Sequence, residues 1–401
     1  MARTETAVLL VLVDGLRHDY LDPADAPFLH ALGRNNWTCR LRETYAFELR
    51  PAFLAGLQPE ECGIANMFLY DPEQSPFAGL DLEGLDRAAI DRAAKEAERR
   101  RGHTASAHFA FSAAIPRALL PRFAFSEKRL TWEQGSLGAR PTLFDHLRRA
   151  GKKWLWLAYP DGDLRAGPLF QDFRARLEPD HALIFLHFAE LDWVGHQAGP
   201  ESAARRDKLR EIDATLERVF AHLNGTRGEL RALVFGDHGM APVERTADIG
   251  GLPAANGLVP GEEFTAFLDS TQARFWFHRE GVRERVRAAL QDHPEGRFLE
   301  TADLERLRFR FPGREYGEEI FAVREGTVIF PNFFQDSEPP KGMHGYLPEA
   351  EANWAAAVVV GAAGPPAGPE PFDLTALYPT LLRFLDLPLP GSPAALPVEL
   401  P

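Results

Sequence analysis

Three aspartates and three histidines in this chain stand beside glycines in a pattern suited to holding metal ions. They occur in VDG at 13–15, DWVGH at 192–196, GDHG at 236–239 and MHG at 343–345. Asp192 and His196 are four apart, which puts both side chains on one side of a helical turn and within reach of one ion. Asp237 and His238 are adjacent, and the glycines around them let the backbone turn sharply enough for neighbours to converge. Asp14 and His344 each precede a glycine. Taken singly, each residue has an ordinary explanation as a turn, a helix cap or a surface histidine. Taken together, three aspartates in one place repel one another strongly unless divalent cations neutralise them. Mixed carboxylate and imidazole ligation suits Zn²⁺ first and Mn²⁺ second. Two such ions about 3.5–4 Å apart clamp the attacking and leaving oxygens of a phosphoryl displacement.

The elements that position these residues are apolar runs. Ala7 to Val13 (AVLLVLV) stops at Asp14, ALIFLHFAELD stops at Asp192, and ALVFGDHG carries Asp237 and His238 at its end. WLWLAYP at 154–160 and AAAVVVGAAG at 355–364 have the same character. Continuous apolar runs fit strands buried on both faces, and helical patterns lie between them, notably 141–151 and 201–225, the latter expected to stop at Asn224-Gly225. Strands alternating with helices imply an α/β, doubly wound, mainly parallel sheet, whose carboxyl ends share one ligand-binding edge. Two stretches break the alternation: residues 66–135, with an Arg/Ala/Glu-rich helix and a Phe- and Pro-rich segment, and residues 246–320, which read as a small α+β insert. The expected organisation is a metal-binding core of residues 1–245 and 321–401, with an insertion around 66–135 and a cap at 246–320.

Composition sets the outer bounds. The chain has 401 residues, 45% hydrophobic and 26% charged, so a large core can form. A net charge of -13 argues against general affinity for nucleic acid or anionic membranes. Two cysteines in no zinc-binding or disulfide pattern, and an apolar N-terminal run too short to span a membrane, fit a cytoplasmic protein.

VDGLRHDYL, DWVGHQAGP, GDHGM and GMHGY, in this order, resemble the alkaline phosphatase superfamily, and within it the nucleotide pyrophosphatase/phosphodiesterase branch. The likeness covers most of the chain, with AGLQPEECGI, FLDSTQARFWF and LYPTLLRFLDLPLP matching further parts of that branch. It implies one ion on Asp192, His196 and His344, and a second on Asp14, Asp237 and His238 that also touches the nucleophile. Neither cysteine lies in a sulfatase-type motif.

In that branch the nucleophile is a Thr or Ser before the Gly-Leu-x-Pro-Glu turn. In ETYAFELRPAFLAGLQPEECGI, which reads as a strand end, a turn and a helix closed by Pro59, the matching position is Ala46. Three readings stand. Thr44, on the polar parity of its strand with Arg40 and Arg42, supplies the hydroxyl; or Glu48, at a helix N-terminus, ligates or acts as general base; or the covalent step is lost. Arg17, His18 and Arg50 are weaker candidates. Of His187 and Glu190, strand parity lets at most one face the site. Phe109, Phe111, Phe123 and Phe125 read as the insertion's own small core. The expectation is a dinuclear metal-dependent phosphodiesterase or pyrophosphatase acting on a small intracellular phosphoester. A monoesterase or phosphomutase of the same superfamily, or a metal-holding pseudoenzyme, are the alternatives.

Overall fold

The computed structural model describes residues 6–101, 115–126, 132–158, 164–335, 337–365, 368–391 and 394–400. Seven strands form the main sheet, in the order Phe372–Asp373, Trp37–Arg42, Ala355–Val360, Leu230–Phe235, Ala7–Val13, His181–Phe188 and Lys153–Leu157. All neighbours are parallel except Ala355–Val360, which runs antiparallel to both of its partners. The five apolar runs are all strands of this sheet. The alternation of side chains along Ala7–Val13 builds two layers. Val8, Leu10 and Leu12 pack with Phe53, Phe144, Leu147, Leu377 and Leu381 on one face. Leu9, Val11 and Val13 pack with Leu29, Leu169, Phe173, Leu209, Leu216 and Leu223 on the other. Helices therefore cover both faces, as a doubly wound sheet requires.

Three local expectations need correction. The helix after residue 49 spans Arg50–Ala55 and is closed by Gly56 in the left-handed region, φ 67°; Pro59 instead opens a second short helix, Pro59–Cys62. Proline suits that first-turn position because its missing N–H has no partner there anyway. The long helix spans Ala203–Thr226 and passes through Asn224-Gly225, so the glycine is carried in the last exposed turn at a cost of about 1 kcal/mol relative to alanine. The antiparallel sheet of the insert, in the order Phe264–Leu268, Gln272–Phe277, Glu319–Val323 and Gly296–Phe298, runs past residue 320 to Val323.

The two insertions share a core. Phe68, Phe77, Phe123 and Phe125 of the first pack with Phe267 and Trp276 of the second, and with Phe333. Phe109 and Phe111 lie outside the described residues. Arg274, fully buried, joins the two: its Nε meets Asp269 Oδ2 at 3.1 Å and its Nη1 donates to the carbonyl of Phe68 at 3.0 Å.

Candidate metal centre

Three loops and one helix at the carboxyl edge of the sheet deliver the site. Asp14 follows Val13 directly, its backbone N–H bonded to the carbonyl of Phe188 at 2.9 Å. Asp192 and His196 ride on the helix Glu190–Ala198 that follows His181–Phe188. Asp237 and His238 leave Leu230–Phe235 through a loop that passes very close to its neighbours. A Cβ on Gly239 would lie 2.1 Å from the carbonyl oxygen of Ala352, so only glycine fits. His344 follows the short strand Gly342–Met343, which pairs with Ala241–Pro242 and so stitches the two histidine loops together.

The side chains converge. Asp192 Oδ1 lies 3.2 Å from His196 Nε2, 3.5 Å from His344 Nε2 and 4.0 Å from His238 Nε2. Asp14 Oδ1 meets His238 Nε2 at 3.1 Å, and Asp237 Oδ1 stands 3.7 Å from the same nitrogen. Two tight groups result: Asp192, His196 and His344, and Asp14, Asp192 and His238. Asp192 thus stands in both, and Asp237 flanks the second rather than closing it.

Histidine orientation is set from behind. His196 Nδ1–H donates to the carbonyl of Gly342 at 2.8 Å, and His238 Nδ1–H to that of Gly239 at 2.8 Å. Each ring thereby turns Nε2 toward the cluster, the arrangement that second-layer carbonyls impose on metal-binding imidazoles. Despite its crowd of imidazoles, Asp192 Oδ1 is buried with no well-formed hydrogen bond. A buried carboxylate oxygen faced by three imidazole nitrogens at 3.2–4.0 Å is what a shared cation explains. The donor set fits Zn²⁺ or Mn²⁺.

The electrostatics carry the same message. Burial alone would raise Asp14, yet hydrogen bonds from His187 and His238 hold it well below the usual carboxylate range. Burial, together with the Asp14 charge, pushes Asp237 up to about 7. His238 is raised well above an ordinary histidine because Asp237 and Asp14 outweigh its burial. Burial and the His238 charge drive His344 well down. Protons are shared out among groups that a cation pair would satisfy together.

His187 faces this site, its Nε2 at 3.0 Å from Asp14 Oδ2. Glu190 points elsewhere, to the N–H of Ala166 and to Lys208. Arg17 is tied to Asp19, Glu201 and the carbonyl of Met240, and His18 lies 3.8 Å from Glu351. Thr44, buried, lines a cavity of about 440 Å³ with Arg42, Glu43, Gln58, Arg306 and Arg308, a lining that includes none of the six Asp and His residues. Glu48 is buried and bound to Arg50, both by its side chain and by accepting from the Arg50 backbone N–H at 3.0 Å. Ala46 is half-buried, its N–H bonded to the carbonyl of Thr44 at 2.7 Å. Next to it Phe47 is 39% exposed, stacked on Phe334 with ring centroids 6.0 Å apart and 6.4 Å from His344.

One residue escaped the sequence reading. Glu43 is buried, in the field of His238 and Asp237, and lines the same cavity as Thr44. Burial pushes its carboxyl up to about 8. The available signal was parity: Glu43 continues the inward series of Cys39 and Leu41 past the strand end.

The family described as type I phosphodiesterase / nucleotide pyrophosphatase matches residues 8–347. Ectonucleotide pyrophosphatase/phosphodiesterase family member 7 of Mus musculus is 31% identical over 130 residues, 29% of this chain and 28% of the relative. GPI ethanolamine phosphate transferase 2 of Candida albicans is 39% identical over 57 residues, 14% of this chain and 6% of the relative. These matches span less than a third of the relatives' own length. Murine ectonucleotide pyrophosphatase/phosphodiesterase 5, solved as an inactive threonine-to-alanine variant in complex with AMP, superposes with a TM-score of 0.69 over 97% of both chains at 19% identity. Among the described residues no helix is long and apolar enough to cross a membrane.

Proposed function

The chain belongs to the type I phosphodiesterase / nucleotide pyrophosphatase family, and from that premise we propose that it is a dinuclear metal-dependent hydrolase of phosphodiesters or pyrophosphates. The observation that carries the proposal is the convergence of Asp14, Asp192, His196, His238 and His344 around the unpartnered Asp192 Oδ1. Asp192, His196 and His344 would hold one cation, and Asp14, His238 and the flanking Asp237 the other, with Asp192 between them. Bound there, the cations neutralise charge on the phosphoryl oxygens and lower the pKa of a water molecule. Asp14 is kept ionised and oriented by His187, and the backbone carbonyls of Gly342 and Gly239 keep the two imidazoles in register. Phe47, exposed against Phe334 beside His344, offers a flat apolar face to an organic group on phosphorus, which a diester always carries. An intracellular phosphorylated metabolite as substrate is part of the proposal and rests on the two free cysteines, Cys39 and Cys62.

With Ala46 at the nucleophile position, a single displacement by water is the reading the geometry favours. Thr44 lines the other cavity and Glu48 is bound by Arg50. Ala46 also supports a second reading, a protein that binds phosphorylated ligands without cutting them. A structural relative carrying alanine for a threonine is described as inactive and holds AMP. Hydrolysis of bis-p-nitrophenyl phosphate and of the monoester, by protein loaded with Zn²⁺ or Mn²⁺ and with or without chelator, separates the two. Diester turnover that chelator abolishes supports the hydrolase. No turnover of either ester, in protein holding two equivalents of metal, replaces it with the binding protein.

A further inference from the structure

We infer that Arg17 is a positioning residue for the metal centre, its guanidinium fixing the segments that carry Asp14, His196 and His238 relative to one another. The inference rests on the dinuclear reading above and names a residue that acts from behind the ligands. Arg17 follows Asp14 by three residues and is 9% exposed. Its Nη1 donates to the carbonyl of Met240, two residues past His238, at 3.0 Å. Its Nη2 reaches Glu201 Oε1 at 2.6 Å, just beyond the end of the Glu190–Ala198 helix that carries Asp192 and His196. Nε and Nη2 also hold the two oxygens of Asp19, at 2.6 and 2.9 Å. A planar fork with five N–H groups serves three acceptors at once, which the single ammonium of a lysine cannot do. The aliphatic stem takes part as well. A Cβ on Gly239 would lie 3.0 Å from Arg17 Cγ and 2.8 Å from the carbonyl oxygen of Trp354, so the turn after His238 runs between the two. The backbone beside Arg17 is pinned to that same carbonyl, which accepts from the His18 N–H at 3.0 Å.

Met240 carries the effect on to the first ligand group. Its side chain fills the gap between Gly195, the neighbour of His196, and Gly342, whose carbonyl accepts from His196 Nδ1–H. A Cβ on Gly195 would meet Met240 Cε at 2.9 Å, and one on Gly342 would meet Met240 Cγ at 3.0 Å. The place of the Met240 backbone therefore sets how closely the His196 helix approaches the strand that leads into His344. The acceptors of Arg17 are not equal in this. Asp19 and Glu201 have side chains 49% and 65% exposed, and ion pairs in such places stabilise little. The bond to the Met240 carbonyl is buried, with a charged donor, and it is the one that ties the Asp14 loop to the His238 loop.

The test compares the full-length chain with Arg17→Met and Arg17→Lys, each loaded with Co²⁺ as a visible probe of ligand geometry and assayed on bis-p-nitrophenyl phosphate. Methionine keeps a stem against Gly239 and removes the fork. We expect two Co²⁺ equivalents in the parent. In Arg17→Met we expect a changed Co²⁺ absorption spectrum and a kcat lower by about ten-fold or more, with KM within about three-fold. Lysine keeps one bond at a time and should restore part of both. An unchanged spectrum with unchanged kcat in Arg17→Met, whatever its melting temperature, would make Arg17 a residue of the fold alone and overturn the inference. If Arg17→Met does not fold, Arg17→Lys decides: a shifted spectrum with a lower kcat supports the inference, and parent-like values overturn it. A parent that holds two equivalents without turnover would remove the hydrolase reading and leave the spectrum to decide on Arg17. Fewer than two equivalents in the parent would remove the dinuclear reading, and the inference with it.

Discussion

The imidazole rings of His238 and His344 stack face to face, their centroids 3.5 Å apart and their planes 3° from parallel. Two protonated rings could not sit so, and the charge balance follows suit: His238 is drawn toward protonation by Asp237 and Asp14, while burial and His238 keep His344 neutral. Cations held there would keep both rings neutral and leave the stack without internal repulsion. The two candidate ligand groups are therefore joined through this pair as well as through Asp192. His344→Ala should reduce metal content toward one equivalent and lower diester turnover by about 100-fold or more, the upper end of what even second-layer losses cost at metal sites. It should also weaken the remaining site measurably. Metal analysis after gel filtration, beside the kinetics, checks both. A variant that keeps two equivalents would show that His344 is not a ligand.

Protons and cations compete for this cluster, which fixes the sign of its pH dependence. Asp237 is raised from an ordinary aspartate value of 3.8 to about 7. In the metal-free chain the folded state therefore binds this proton better than the unfolded state does, and its contribution to stability is lost as pH rises through about 7. Metal binding requires the proton to leave, so affinity should rise over the same window. The unfolding temperature in chelator should fall between about pH 4 and about pH 7 and level off above it, while that of the Zn²⁺-loaded protein should hold or rise over the same window. Parallel melting curves in the two conditions would contradict this account.

Much of the site was legible because ligands stand where apolar runs stop. Asp14, Asp192 and the Asp237-His238 pair all follow buried strands whose ends a parallel sheet gathers on one edge, whatever their separation in sequence. The sharing of Asp192 between the two groups was not legible, since it depends on how a helix turn and two loops are set against each other in space. His187 was recognised as facing one side of its strand, but that this side holds Asp14 follows from the pairing of Leu12 with His187. Glu43 was missed although the parity rule that found it had already been applied to Thr44. Helix ends failed where a local stop signal was outweighed, as at Asn224-Gly225, or where one proline served a new helix instead of closing the old one.

Arg274 reaches the first insertion through the Phe68 carbonyl and is itself held by a buried ion pair with Asp269 of its own insertion, whose removal should be asymmetric. Arg274 and Asp269 are both inaccessible, and burial raises Asp269 while Arg274 opposes the rise. Arg274→Met leaves a buried carboxyl without its partner and also drops the bond to Phe68. A loss of about 3–5 kcal/mol is expected in urea unfolding. Arg274→Met combined with Asp269→Leu removes both charges and should recover most of it. A double variant no better than the single would mean that the stacking of Arg274 over Phe267, 4.5 Å from the ring centre, matters more than the charge.

The last question is which hydroxyl, if any, attacks phosphorus. Thr44 is the nearest threonine to the family position, but it lines the cavity with Arg42, Glu43, Arg306 and Arg308, whose lining includes none of the six Asp and His residues. The loop that carries it is fixed by the bonds from the Ala46 N–H to Thr44 and from the Phe47 N–H to Ala65. Thr44→Ala should therefore leave diester turnover within about two-fold, whereas loss of a covalent nucleophile costs many orders of magnitude. Glu48→Gln should act mainly on stability, by about 1 kcal/mol, through its weakened hold on Arg50. If water attacks directly, a chiral thiophosphate diester is hydrolysed with inversion at phosphorus, because one displacement inverts and two retain. Retention together with a Thr44→Ala loss of about 100-fold or more, at unchanged metal content, would instead make Thr44 the nucleophile and require the loop to move during turnover.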